Sequence, residues 1–172
     1  MTTVNIREPV SVRCGGGVLT FEPDGRVKVS GPEGVEQSVS APDLALSNFV
    51  EFWCSGGHAY FAGLEGRTVW FARPSEGQLT PVLKLDRLDL RDSYDPGGLH
   101  RIEFHELPDG DLLIVYELGL ARLGPDGKAR WQGGHDQLSA HLDRIADGVA
   151  WLRGEFGTFG FRLADGRPVE GS

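Results

Sequence analysis

The sequence predicts an all-β protein, built from antiparallel four-stranded meanders arranged as a small or partial β-propeller, with a two-sheet sandwich as the alternative. Three observations predict it. Five Asp-Gly dipeptides, Asp24-Gly25, Asp109-Gly110, Asp126-Gly127, Asp147-Gly148 and Asp165-Gly166, separate short runs of valine, leucine and aromatic residues. Asp-Gly suits a type I′ hairpin turn, which needs positive φ at both central residues. Glu-Gly pairs at 33, 65, 76 and 170 mark further corners. Finally, the C-terminal half repeats: Gly110 and Gly148 lie 38 residues apart and Gly127 and Gly166 lie 39 apart, about the length of one propeller blade.

These signals place a single domain over 1–172, made of four units at roughly 9–40, 47–90, 100–132 and 141–172. The first holds Val18 to Phe21, a Pro23-Asp24-Gly25 turn, and Val27 to Val29. In the second, the runs Phe49 to Cys54, His58 to Ala62, Thr68 to Arg73 and Leu79 to Leu85 are separated by Gly56-Gly57, Glu65-Gly66 and Glu76-Gly77. Val82 to Leu90 alternates leucines with Lys84, Asp86, Arg87 and Asp89, the pattern of a charged edge strand. Residues 91–99 read as a surface loop ending in Pro96-Gly97-Gly98. Strand 111–118 is apolar on both faces, as a strand covered on both sides must be. Between Asp136 and Ile145 the spacing of Leu138, His141, Leu142 and Ile145 predicts a turn or two of helix behind an Asp136 N-cap.

The run Gly119-Leu120-Ala121-Arg122-Leu123-Gly124-Pro125-Asp126-Gly127-Lys128-Ala129-Arg130-Trp131 resembles the end of a PQQ-like, quinoprotein-type propeller repeat: strand, glycine turn, and a strand ending in tryptophan. Val18 to Ser30 and Phe159 to Glu170 are similar in outline. The resemblance covers about two thirds of the chain. It implies a shape rather than quinone chemistry, and a blade-docking role for Trp131. Ser30 and Glu170 stand where the repeat would carry its other tryptophans.

Size and charge bound the function. With 172 residues, folding removes about 70% of the unfolded chain's surface from water, enough for a self-sufficient core. Seventeen basic against 25 acidic residues give a formal charge of -8, and no basic run is present to neutralise phosphates. Nucleic acid is therefore excluded as an expected partner, and a basic protein is favoured. No run approaches the roughly 18 apolar residues of a spanning helix, so no membrane role is expected. The opening Met-Thr-Thr-Val-Asn-Ile-Arg-Glu-Pro has no basic segment followed by an apolar one, and the expected location is cytoplasmic. Cys14 and Cys54, each in strand-like sequence, allow one bridge at most and are expected to be reduced and buried.

Chemistry-bearing motifs are few. His135, His141 and Asp143 fall within nine residues, and His100, Glu103 and His105 form a second set. Neither has a recognised ligand spacing, and histidines on strands are ordinarily surface or core residues. Asp86, Asp89, Asp92 and Asp95 recur every three residues, not at the alternate positions of a calcium loop. With Tyr94 they form the expected partner-binding stretch. Gly15-Gly16-Gly17 precedes a strand rather than a helix and reads as a turn or bulge, not a phosphate cradle. No Gly-x-Ser-x-Gly nucleophile elbow occurs. Trp53, Trp70, Trp131, Trp151, Tyr60 and Tyr116 fall in strands, and any exposed subset would mark a protein or sugar surface. We therefore expect a non-enzymatic module that recognises a protein partner, for which a toxin-neutralising immunity protein is one concrete form. No cofactor is expected. The alternatives are a metal-assisted hydrolase or lyase on the histidine sets, and a small-ligand or carbohydrate-binding β protein.

Overall fold

The computed structural model describes residues 2–32, 34, 36–46, 48–85, 102–137 and 140–169. It forms four antiparallel sheets in two compact units, Met1–Lys84 and Leu85–Ser172. Four sheets replace the two of the sandwich alternative.

In the first unit, β2 (Val10–Cys14), β3 (Gly17–Phe21), β4 (Arg26–Ser30) and β5 (Glu36–Ser40) form one meander. A second sheet has the order β1 (Thr2–Asn5), β6 (Phe49–Ser55), β7 (His58–Gly63), β8 (Thr68–Arg73), β9 (Gln78–Lys84). β1 is too short for alternation to reveal it. It is held by pairing with β6, Thr2 opposite Phe52 and Asn5 opposite Phe49, and by burial of Val4 and Ile6. The core between these sheets gathers Leu19, Phe21, Val27 and Val29 with Val50, Phe52, Phe61 and Leu79. β9 is an edge strand, as its sequence predicts, and tolerates Pro81 because an edge needs no ladder on its outer side. The rest of the predicted edge strand, 86–90, lies outside the described residues.

The second unit holds β10 (Ile102–Glu106), β11 (Leu112–Tyr116), β12 (Gly119–Leu123) and β13 (Ala129–Gly134) in one sheet. β14 (His141–Ala146), β15 (Val149–Gly154), β16 (Gly157–Arg162) and β17 (Pro168–Val169) make the other. Every residue of β11 is buried, as its two-sided apolar pattern requires. Leu107, Leu113, Val115 and Leu120 meet Ala150, Leu152 and Phe161 in the core between the two sheets.

Two expectations about local structure are corrected. Of the predicted helical stretch 136–145, residues 141–145 belong to a strand, since His141–Ala146 is β14, while Leu138 lies outside the described residues. A bulge explains the spacing: Leu142 pairs with Leu152 and Ile145 with Ala150, leaving Asp143 as the extra residue. One inserted residue turns a spacing of three into a shared sheet face, the signature of a helix read on a strand. Turn type is the second correction. Only Asp147-Gly148 has positive φ at both positions, 52° and 73°. At the other four Asp-Gly corners the glycine alone is left-handed. Pro23, Pro108 and Pro125 precede three of them, and proline's fixed negative φ suits the first central position of a type I turn, with glycine following as the bulge residue. Aspartate closes these loops through its carboxylate: Oδ1 of Asp24 accepts the Arg26 N–H at 3.1 Å, and Oδ1 of Asp165 accepts the Arg167 N–H at the same distance. The Arg26 N–H, with the neighbouring guanidinium, holds the Asp24 carboxyl below its ordinary pKa. The I′ geometry is taken instead by Gly15-Gly16 and Gly56-Gly57, each with two positive φ values.

The cysteine expectation is also corrected. Cys14 and Cys54 are joined by a disulfide, 40 residues apart in sequence, and while Cys14 is buried, Cys54 is exposed. The end of β2 meets β6 of the other sheet, a pairing invisible to either local sequence. Closing a loop of that length stabilises the unit by about 4 kcal/mol in the chain-entropy account. Among the described residues, no helix is long and apolar enough to cross a membrane.

Candidate functional site

The set His135, His141 and Asp143 is not brought together, and the set His100, Glu103 and His105 lies partly outside the described residues. The His135 ring lies against Phe159, with centroids 5.2 Å apart, and near Phe161 at 6.4 Å. His141 sits in β14 opposite Arg153, and Asp143 is held in ion pairs with Arg144 at 2.7 Å and Arg153 at 3.2 Å. Among the described residues, no three His, Cys, Asp or Glu side chains group as a metal site would require. Of the second set, Glu103 Oε2 and His105 Nε2 meet at 2.8 Å, while His100 lies outside the described residues. Asp86, Asp89, Asp92, Tyr94 and Asp95 lie outside them as well.

Burial against the two phenylalanines pushes the His135 imidazole below its ordinary pKa, with the Asp136 charge acting in the opposite direction. A histidine whose folded pKa is lowered is held neutral by the fold, so its contribution is complete above the unfolded value of about 6.5 and is lost as pH falls toward the folded one. Urea unfolding at pH 7, 6 and 5 is expected to show this loss in the native protein. The His135→Phe variant, which keeps a ring there without a titrating group, is expected to lose less stability over that interval.

The tryptophans divide. Trp53 and Trp70 are buried, as are Tyr60 and Tyr116, while Trp131 and Trp151 are partly exposed. Trp131 Nε1 donates to the Leu163 carbonyl at 2.7 Å, and the indole covers Gly166, so this residue docks the β10–β13 sheet onto the next. Trp151 lies against Gly160 and carries the Arg144 guanidinium 5.3 Å from its ring centre.

Among the described residues, one large apolar side chain is far more exposed than the others. β15 and β16 are joined by Glu155-Phe156 between the paired Gly154 and Gly157, and Phe156 is 82% exposed. Gly157 has φ +124°, a conformation open to glycine. The turn is braced from outside its own hairpin. Gln137 Oε1 accepts the Phe156 N–H at 3.4 Å, and the same amide occupies the space that a Cβ on Gly154 would need. The preceding segment is fixed in turn, because the His135 N–H donates to the Leu118 carbonyl at 2.8 Å. Leu118 occupies the equivalent tip in the neighbouring sheet, between Tyr116 and Gly119. Exposed Asp136 and Glu155 place negative charge in the same turn and segment. Sequence reasoning missed this residue because a phenylalanine among strands reads as core. The available signal was its setting, Gly154-Glu155-Phe156-Gly157, in which an apolar residue sits at a glycine-flanked corner rather than inside a strand.

The chain is similar in structure to virginiamycin B lyase from Staphylococcus aureus, with a TM-score of 0.50 and 15% identity over 98% of this chain. The fold is of the β-propeller type. The chain spans 58% of that lyase's length, and at this identity the likeness concerns architecture alone. No protein-family model and no curated protein sequence matches the chain.

Proposed function

We propose that this chain is a non-catalytic protein-recognition module whose contact is centred on the Phe156 tip. The carrying observation is the tip itself: a large apolar side chain, 82% exposed, on a short turn braced by Gln137. Burying such a side chain in a partner is worth about 1.5–3 kcal/mol, and a pre-ordered turn loses little entropy on binding. Aromatic anchors of this kind commonly dominate interfaces. Glu155, Asp136 and the overall charge of -8 favour an apolar pocket rimmed by basic residues, and disfavour an anionic membrane surface. The acidic stretch Asp86, Asp89, Asp92, Tyr94 and Asp95 belongs to the same proposal as a further source of negative charge. Neutralisation of a basic toxin is one form this function would take.

The test compares native protein with Phe156→Ser. The variant is expected to keep the melting temperature, since the ring contributes little to the core. It is also expected to lose tenfold or more in affinity for a partner that the native protein retains stoichiometrically from native lysate. Equal retention by both proteins would remove Phe156 from the interface.

A further inference from the structure

The Cys14–Cys54 bond is asymmetric in a way that a buried staple is not. Cys14, 3% exposed, ends β2 with Sγ 3.3 Å from the His58 carbonyl oxygen, within hydrogen-bonding reach for a thiol. Cys54, in β6, is open to solvent. The bond ties the β2–β5 meander to the larger sheet of the same unit. Beside it the Gly15-Gly16 turn is pressed onto Gly57, so closely that a Cβ on Gly15 would collide with the Gly57 backbone. The two sheets are therefore in register at this point through backbone contact as well as through sulfur. No other cysteine exists with which the pair could exchange.

We propose that Cys14–Cys54 is a thiol-exchange site, taking dithiol reductants as its substrate class, and that its state sets the stability of the N-terminal unit. A reductant thiolate attacks the sulfur of Cys54, the exposed residue of the pair. The Cys14–Cys54 bond breaks, its electron pair passes to Cys14 Sγ, and that sulfur takes a proton from water while a mixed disulfide forms on Cys54. The second thiol of the reductant, as its thiolate, then attacks the reductant's own sulfur in the mixed disulfide. Cys54 leaves as a thiolate and is protonated, and the reductant departs as a disulfide. Two electrons and two protons have passed to the protein. Exchange rate depends on which sulfur can be reached, and only Cys54 is open. The His58 carbonyl is already placed as acceptor for the thiol of the released Cys14. The bond is closed where the surrounding thiol pool is oxidising and open where it is reducing.

The experiment uses the intact chain in non-denaturing buffer. Dithiothreitol followed by alkylation and mass spectrometry is expected to label both cysteines while circular dichroism still reports the folded β spectrum. Reduced glutathione is expected to leave its mixed disulfide on Cys54. Reduction is expected to lower the melting temperature by about 10 °C. A Cys14→Ser, Cys54→Ser double variant is expected to melt at the lower temperature with or without reductant. A bond that yields only as the chain unfolds, a glutathione adduct confined to Cys14, or a melting temperature indifferent to reductant would each overturn the proposal.

Discussion

Phe21→Ala is expected to destabilise the N-terminal unit by about 3–5 kcal/mol, the range for removing a buried aromatic ring. Phe21 ends β3 with no solvent exposure, edge-on to Phe61 at 5.0 Å and Phe52 at 6.2 Å between ring centroids. Its neighbours across the ladder are Val10 and Val27, so the void would be lined by strands pinned on both sides, which limits collapse. The Cys14–Cys54 bond leaves this loss intact, because a cross-link acts chiefly on the unfolded chain whereas the cavity belongs to the folded one. Urea denaturation with the disulfide closed measures it. A loss below about 1 kcal/mol would mean that the ring is not central to this core.

Arg122→Leu is expected to cost the C-terminal unit about 3–5 kcal/mol through a different mechanism, the stranding of a buried charge. Arg122 Nε donates to Asp111 Oδ2 at 2.7 Å, Nη1 donates to the Leu163 carbonyl at 2.9 Å, and Nη2 pairs with Asp109. The Asp111 side chain is 11% exposed, and its remaining cation, Arg130, lies 3.6 Å away. Leucine would also remove one of two donors, with Trp131 Nε1, that meet on the Leu163 carbonyl to join the two sheets. The double variant Arg122→Leu, Asp111→Leu is expected to recover much of the loss, because the stranded carboxylate is removed with its partner. Equal instability of the single and double variants would assign the cost to sheet docking rather than to charge.

The fold was legible where its causes are local. A glycine corner needs only its own backbone, so Asp24-Gly25, Asp109-Gly110 and their counterparts mark turns whatever surrounds them. At three of these corners the proline before the aspartate, with its fixed φ, selects type I over I′, while Asp165-Gly166, behind Ala164, has only its glycine left-handed without one. Strand β11 announced its double burial because alternation fails when both faces are covered. At β14 the same logic misled, because the bulge at Asp143 resets the phase and no composition signals a bulge. The docking role of Trp131 was an expectation of the propeller-repeat resemblance; in the structure the residue lies within β13, and its acceptor, the Leu163 carbonyl, is 32 residues away.

By itself, the sequence determined the all-β class, the hairpin corners and the edge character of β9. Each rests on interactions within a few residues, where backbone conformation and hydrophobic period act directly. Tertiary structure alone decided that Cys14 meets Cys54, that His135 is set among phenylalanines, and that Phe156 is left in water. Those outcomes turn on which segments of different meanders are brought side by side, and exposure or proximity between distant segments is a property of packing that no local pattern encodes.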